Sequence, residues 1–164
     1  MATLKLTYAS SAAVTITLAS LATDASLLTG RESTAIDNTS NLYVDYLLAG
    51  LIATGTSPTD VREILVYVAG LIDDTTWPDV LDGTDSAETI TSLGVRDPGL
   101  KLAARITANN TSDRVYAFGP ISVAALFGGN LPKKFVVFVT HNTGVNLKSS
   151  GHSIAVTGVY YTIA

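Results

Sequence analysis

The chain of 164 residues has no cysteine, so neither a disulfide framework nor a thiolate metal site can be built from it. Charge is also scarce: Asp, Glu, Lys and Arg make up 15% of the residues, where an average soluble domain has roughly 25%. No basic run occurs, and a net charge of −4 with a pI near 4.9 argues against nucleic acid as the main partner. No G-x-G-x-x-G, phosphate-binding P-loop or H-E-x-x-H is present, so no familiar cofactor, nucleotide or zinc-hydrolase motif is on offer. Long hydrophobic runs are missing too. The longest, residues 47–53 and 64–72, reach about half a membrane span. Thr and Ser interrupt the apolar character of the first 25 residues, so these do not read as a secretory signal. The expectation is a chain without membrane segments.

Polarity is carried instead by 22 threonines and 14 serines. β-Branched Thr suits a pleated surface. A surface polar through hydroxyls also suits a protein much covered by neighbours, because contact centres shed charge.

The dominant period is two. Leu4, Leu6 and Tyr8 alternate with Thr3, Lys5 and Thr7, and Val14, Ile16 and Leu18 alternate with Thr15 and Thr17. Leu100, Leu102, Ala104 and Ile106 repeat the pattern. Each predicts a strand with one face on a core. "EILVYVAGLID" (63–73) and "KFVVFVTH" (134–141) are apolar on both faces, and "LYVDYLLAGLIAT" (42–54) reads similarly around Asp45. In an antiparallel protein such strands need a second cover beyond the single core, and with few helical segments available a neighbouring subunit is the expected one.

Further strands are predicted near 31–38, 113–118 and 153–163, and "SVAALFGG" (122–129) predicts one short helix capped by Ser122 and ended by Gly128 or Gly129. The whole is expected to form a single domain over 1–164. The predicted class is all-β, an antiparallel β-sandwich, jelly-roll-like, with eight or nine strands and one short helix. An immunoglobulin-like sandwich is the alternative, although the Cys–Trp–Cys framework is absent. The connection from residue 73 to residue 99 is long enough to be functional or flexible.

That connection opens with "DDTTWPDVLDGTDSAE" (73–88), which holds Asp73, Asp74, Asp79, Asp82, Asp85 and Glu88, no basic residue, and the only tryptophan, Trp77. Calcium favours such oxygen ligands, but the spacing does not fit an EF-hand loop, and Asp and Gly also serve ordinary turns. The segment reads as a surface loop, with no metal or other cofactor. Trp77 and Pro78 are candidate partner contacts, as are Leu126, Phe127, Leu4 and Leu6. The alternative for Trp77 is a loop folded back on its own sandwich.

"GHSIA" (151–155) imitates a nucleophile elbow, yet Ser153 opens an alternating strand where the elbow needs a strand-to-helix turn. His141 and His152 flank one connection and could approach each other, but no local carboxylate would orient them. Lys133 and Lys134 could meet an acidic surface, such as the 73–88 loop of another copy, or guard an apolar strand against aggregation. Asn38, Asn109 and Asn110 begin glycosylation sequons that a Thr-rich chain produces by chance. No enzyme activity is predicted.

From about residue 30 onward, "ESTAIDNTSNLYVDYLLAGLIATGTSPT", "EILVYVAGLIDD", "WPDVLDGTDSAETIT" and "FGPISVAALFGGNLPKKFVVFVTHNTGVNL" resemble a family of small structural proteins of tailed bacteriophages. The resemblance implies a virion component, first of all a capsid decoration or cement protein that binds the assembled head. Its partners would be the major capsid protein or other virion proteins, on the capsid surface, in a symmetric homo-oligomer with a trimer favoured. A tail, collar or fibre-associated structural or receptor-binding module is the alternative. No functional residue is carried over by the resemblance.

Overall fold

The computed structural model describes residues 2–163. They form two antiparallel sheets face to face. The strands are β1 (Leu4–Tyr8), β2 (Ala12–Ala13), β3 (Thr29–Glu32), β4 (Ile36–Asp37), β5 (Asp45–Ala53), β6 (Arg62–Gly70), β7 (Ala87–Thr89), β8 (Lys101–Ala108), β9 (Val115–Ser122), β10 (Lys134–His141) and β11 (Ser153–Ile163). Helix α1 (Leu93–Gly99) precedes β8 and α2 (Val123–Leu126) follows β9. The first sheet runs β1-β11-β5-β9, and the second runs β7-β3-β10-β6-β8.

β1 and β2 lie on the same edge of β11, and their register slips by one residue between Tyr8 and Ala12. β3 and β4 share one edge of β10 with a similar slip, at Ser33. There the Ser33 hydroxyl accepts from the Val137 N–H at 2.9 Å, replacing the ladder bond that the slip removes. Joining each broken pair leaves eight strands plus short β7. Numbered one to eight on that count, the sheets read 1-8-3-6 and 2-7-4-5. Strand one lies beside eight, two beside seven, three beside six and four beside five. Successive pairs alternate between sheets, which is a rolled hairpin: the jelly roll.

Between the sheets lies a core of Tyr46, Leu48, Ile52, Ile64, Val66, Val68, Phe135, Val137, Val139, Ile154 and Val156. α2 forms where the sequence predicts it. Ser122 Oγ accepts from the Ala125 N–H at 3.1 Å, and Gly128 follows in the left-handed region at φ 73°. Asp45, the charge inside an apolar strand, takes the Ala124 N–H at 2.8 Å and so ties α2 to β5.

Three expectations need correction. Residues 14–18 alternate in burial, as predicted, but they are not a ladder strand. Val14 N–H donates to Ile154 in the first sheet, while the next carbonyl, Thr15, accepts from Thr34 beside the second, so this segment crosses between the sheets. α1, absent from the sequence reading, adds a second short helix; it has no capping side chain and contains Pro98, so the usual signals are missing.

The third correction concerns the doubly apolar strands. Leu65, Tyr67 and Ala69 of β6 and Val136 and Phe138 of β10 point away from the central core into a second cluster with Leu81, Ile90 and Leu100. Leu27, Leu28, Ala35, Trp77 and Val95 pack at its margin. The cover is therefore the chain's own segment, residues 77–100, and not a neighbour. Arg96 of α1 lies over the Tyr67 ring at 5.2 Å and donates to the Leu27 carbonyl, closing one side.

Ile90, fully buried in this cover, is the decisive residue. Ile90→Ala should destabilise the protein by about 2–5 kcal/mol, the cost of a cavity in a packed core. Urea denaturation measures it, and a loss below about 0.5 kcal/mol, the range of surface substitutions, would mean that the segment does not pack as described.

Candidate interaction surface

The acidic segment is held by bonds internal to the chain. Asp73 accepts from the Thr75 and Thr76 N–H groups at 2.8 and 2.7 Å, and Asp82 accepts from the Thr84 N–H at 2.9 Å. Asp79 takes both the N–H and the hydroxyl of Thr91. Asp74 pairs with Lys133, and Lys134 pairs with Asp37 at 2.9 Å, so the two lysines find their acids within one copy. Asp85 receives Arg31 Nε at 2.6 Å and both Thr17 donors. Burial would raise the Asp85 pKa, but the Arg31 and Thr17 bonds outweigh it and hold the carboxyl below its usual range. Among the described residues no group of three His, Asp or Glu side chains could hold a metal ion.

One carboxylate differs. Glu32 is fully buried on the outer side of the second sheet, under the acidic segment. Its Oε1 accepts from the Gly83 N–H at 2.7 Å, and both its oxygens lie 3.2 Å from the Asp82 N–H. Among the described residues no cation pairs with it. Burial pushes its pKa up to about 7 against those two amide bonds, with a further upward push from Asp82 and Glu88. Gly83 is fixed by geometry: its φ is +83°, and a Cβ would lie 3.0 Å from the Trp77 ring. Glu32 therefore pins the loop at the point where Trp77 and Gly83 meet.

The histidines do not form a pair of free bases. Buried His141 has Nε2 on the Leu21 carbonyl at 3.0 Å and Nδ1 on the Thr143 hydroxyl at 2.9 Å. His152 Nδ1 accepts from the Ala53 N–H, and its Nε2 donates to the Lys148 carbonyl at 2.7 Å. Ser153 begins β11, so the elbow-like "GHSIA" lies in a strand. Asn38 is buried and bonded at both amide atoms to the Tyr43 backbone.

The candidate contact residues fall into two groups. Pro78 is buried and Trp77 packs on the second cluster, so the tryptophan folds back on its own sandwich. Leu126 and Phe127 are half-buried against the central core. Leu4 and Leu6, in contrast, are 64% and 49% exposed. β1 was expected to lay its apolar face on the core, yet that face is open. Tyr8 at 57% continues it, and across the register Ile163 and Tyr161 stand beside Leu4 and Leu6 at 77% and 55%. These five side chains share one side of two paired strands. On the other side, Tyr160 packs inward on Tyr43, their ring centres 5.6 Å apart. Tyr161 and Ile163 were the part that sequence reasoning missed. The signal available was the alternation in "VYYTI", which places residues 161 and 163 on one face.

The exposed stretch is on the order of several hundred Å², the size of the largest apolar patch on a typical monomer, which is often functional. Of the other large exposed apolar residues, Leu42, Val61 and Ile72 lie in loops, while Leu51, Leu102 and Val115 lie on β5, β8 and β9 and are exposed less than Leu4 or Ile163.

Glu32 makes the cover of the second sheet sensitive to pH. Its folded pKa lies above the ordinary value of 4.5. Its contribution to stability is therefore complete below about 4.5 and is lost as pH rises through about 7, a change on the order of 3 kcal/mol. Burial lowers the His141 pKa, so that residue acts oppositely, with stability lost as pH falls below about 6.5. The measurement is therefore the difference between wild type and Glu32→Gln in urea midpoints from pH 4.5 to 8. The wild type should lose stability relative to the variant as pH rises, and parallel curves would rule out the buried acid as their cause.

Compared with protein-family models, curated proteins and solved structures, the chain matches none of them.

Proposed function

We propose that the chain is a structural virion protein of a tailed bacteriophage, a decoration or cement protein that attaches to the assembled head through the outer face of β1 and β11. The resemblance of its central segments to phage structural proteins supports the setting. The single structural observation that carries the attachment is the open row Leu4, Leu6, Tyr8, Tyr161 and Ile163, five exposed apolar side chains on one side of two paired strands.

The row suits a hydrophobic contact of modest size. One side of a standard protein interface is roughly 800 Å², and this face is smaller, so a single copy would bind weakly. A lattice compensates for weak single contacts by offering many equivalent sites and by linking copies. Binding the assembled head, and not its dissociated subunits, shifts the equilibrium toward assembly by mass action. The protein then works without chemistry: it stabilises by removing apolar surface from water on two partners at once.

The test uses heads that lack the chain. Wild-type protein should bind them at a copy number comparable to the major capsid protein's and raise the temperature at which they lose their DNA. Leu6→Asp with Tyr161→Asp should lower occupancy by roughly tenfold or more, because burying two unpaired carboxylates is costly. Saturation at only a few copies per particle would overturn the lattice role and favour a tail or collar position. Unchanged binding by the double variant would remove this face from the contact.

A further inference from the structure

β1 is open along its outer edge as well as on its face. The Ala9 N–H donates to the Gly158 carbonyl at 2.8 Å, which fixes the alternation of the β1–β11 ladder. Leu4 pairs with Ile163, Leu6 with Tyr161 and Tyr8 with Val159. In that register Lys5 and Thr7 turn their backbone groups toward β11. Leu4, Leu6 and Tyr8 turn theirs away from it, to the side where the first sheet ends. Those outward groups have no partner among the described residues.

The other sheet edges are blunted. β7 has three residues, β8 carries Lys101 and Arg105, and β9 contains Pro120 and pairs through a bulge. Short strands, basic side chains, proline and bulges are the usual devices against strand addition. β1 has Lys5 alone, and the alternation sets that side chain on the face opposite the leucines.

We propose that β1 pairs antiparallel with β1 of a second copy about a two-fold axis at Leu6, joining the two first sheets into one. The register chooses itself. With Leu6 opposite its symmetry mate, Leu4 faces Tyr8 on both sides of the axis, and each of these opposed pairs exchanges two backbone hydrogen bonds. Lys5 then faces Thr7, so no like charges meet. Shifting one way would set Lys5 against the second copy's lysine, and shifting the other would set Leu4 against Ser10, beyond the end of β1. Across the axis the order becomes Tyr161, Leu6, Leu6, Tyr161, a continuous apolar row on one side of the joined sheet. Cross-strand pairs of aromatic and aliphatic residues are the favourable ones. An edge that pairs with itself closes after two copies, so this contact makes dimers, and a trimer would need a different surface.

The proposal shares its strand with the proposed function, but it is read on the free chain, so the two fail separately. A chain that is monomeric at every concentration overturns the dimer and leaves attachment to heads untouched. A dimer that ignores heads does the reverse.

The absence of native cysteine gives a clean experiment. Light scattering on the wild type should give twice the 17.1 kDa of one chain as concentration rises. On mild oxidation Leu6→Cys should form a covalent dimer, because Cα atoms at an opposed hydrogen-bonded pair are about 5.5 Å apart, within disulfide reach. Lys5→Cys should cross-link with a roughly tenfold lower yield, since its opposite residue is Thr7. Leu6→Pro should be monomeric with a near wild-type melting temperature, because the N–H it removes points away from β11. Equal cross-linking of the two cysteine variants, or a Leu6→Pro protein that still dimerises, would overturn the pairing. Should Leu6→Pro not fold, the contrast between the cysteine variants decides alone.

Discussion

Two adjacent strands of the second sheet, β6 and β10, carry hydrophobic side chains on both faces, and water must be kept from both. The jelly roll serves only the inner face. The outer face is closed by a stretch with little regular structure of its own, and coil over an apolar surface leaves backbone donors to satisfy. This accounts for the acids in residues 73–88. Asp73 and Asp82 each take amides within their own turns, Asp79 takes the Thr91 amide, and Asp85 fastens the segment to Arg31 and Thr17. Glu32, sunk in the sheet, takes the two amides that side chains of the loop do not reach. A run of carboxylates that resembles a ligand site is, in this fold, the fastening of a lid over a second core.

Most of the architecture was legible in the sequence because it rests on period two. The doubly apolar runs at 63–73 and 134–141 became the central strands of the second sheet, and Ser122 capped the helix expected of it. What was not legible depends on what faces what. Alternation in "TLKLTY" says that β1 has an apolar side, but it cannot say whether that side meets a core or water. Val14 to Leu18 alternate just as well, yet past Val14 the chain leaves β11 and crosses to the second sheet. The cover over β6 and β10 was invisible for a different reason. Leu81, Ile90 and Leu100 are spaced without period, and only the folded chain brings them together. Trp77, likewise, packs against its own chain at the margin of that cluster.

The two sheets differ in how their outer faces are treated. The second sheet is buried on both sides, and its edges are short or basic. The first sheet meets the core on one side, and at the β1 corner it presents leucine, tyrosine and isoleucine to water. In a chain so sparing of charge, five of these exposed side chains gather where a strand edge is also open. Face and edge are two different kinds of docking surface. Here they are built from the same three residues, Leu4, Leu6 and Tyr8, whose side chains form one and whose backbone forms the other.

The pairing of Leu4 with Ile163 also sets how the molecule responds to force. Tension applied through these two neighbouring residues acts across the β1–β11 ladder, perpendicular to the strands. It opens hydrogen bonds one after another, as a zipper does, where strands pulled along their length would have to break them together. β1 is therefore the mechanical weak point of the sandwich. It has only β11 to hold it, whereas β11 is held by β5 as well.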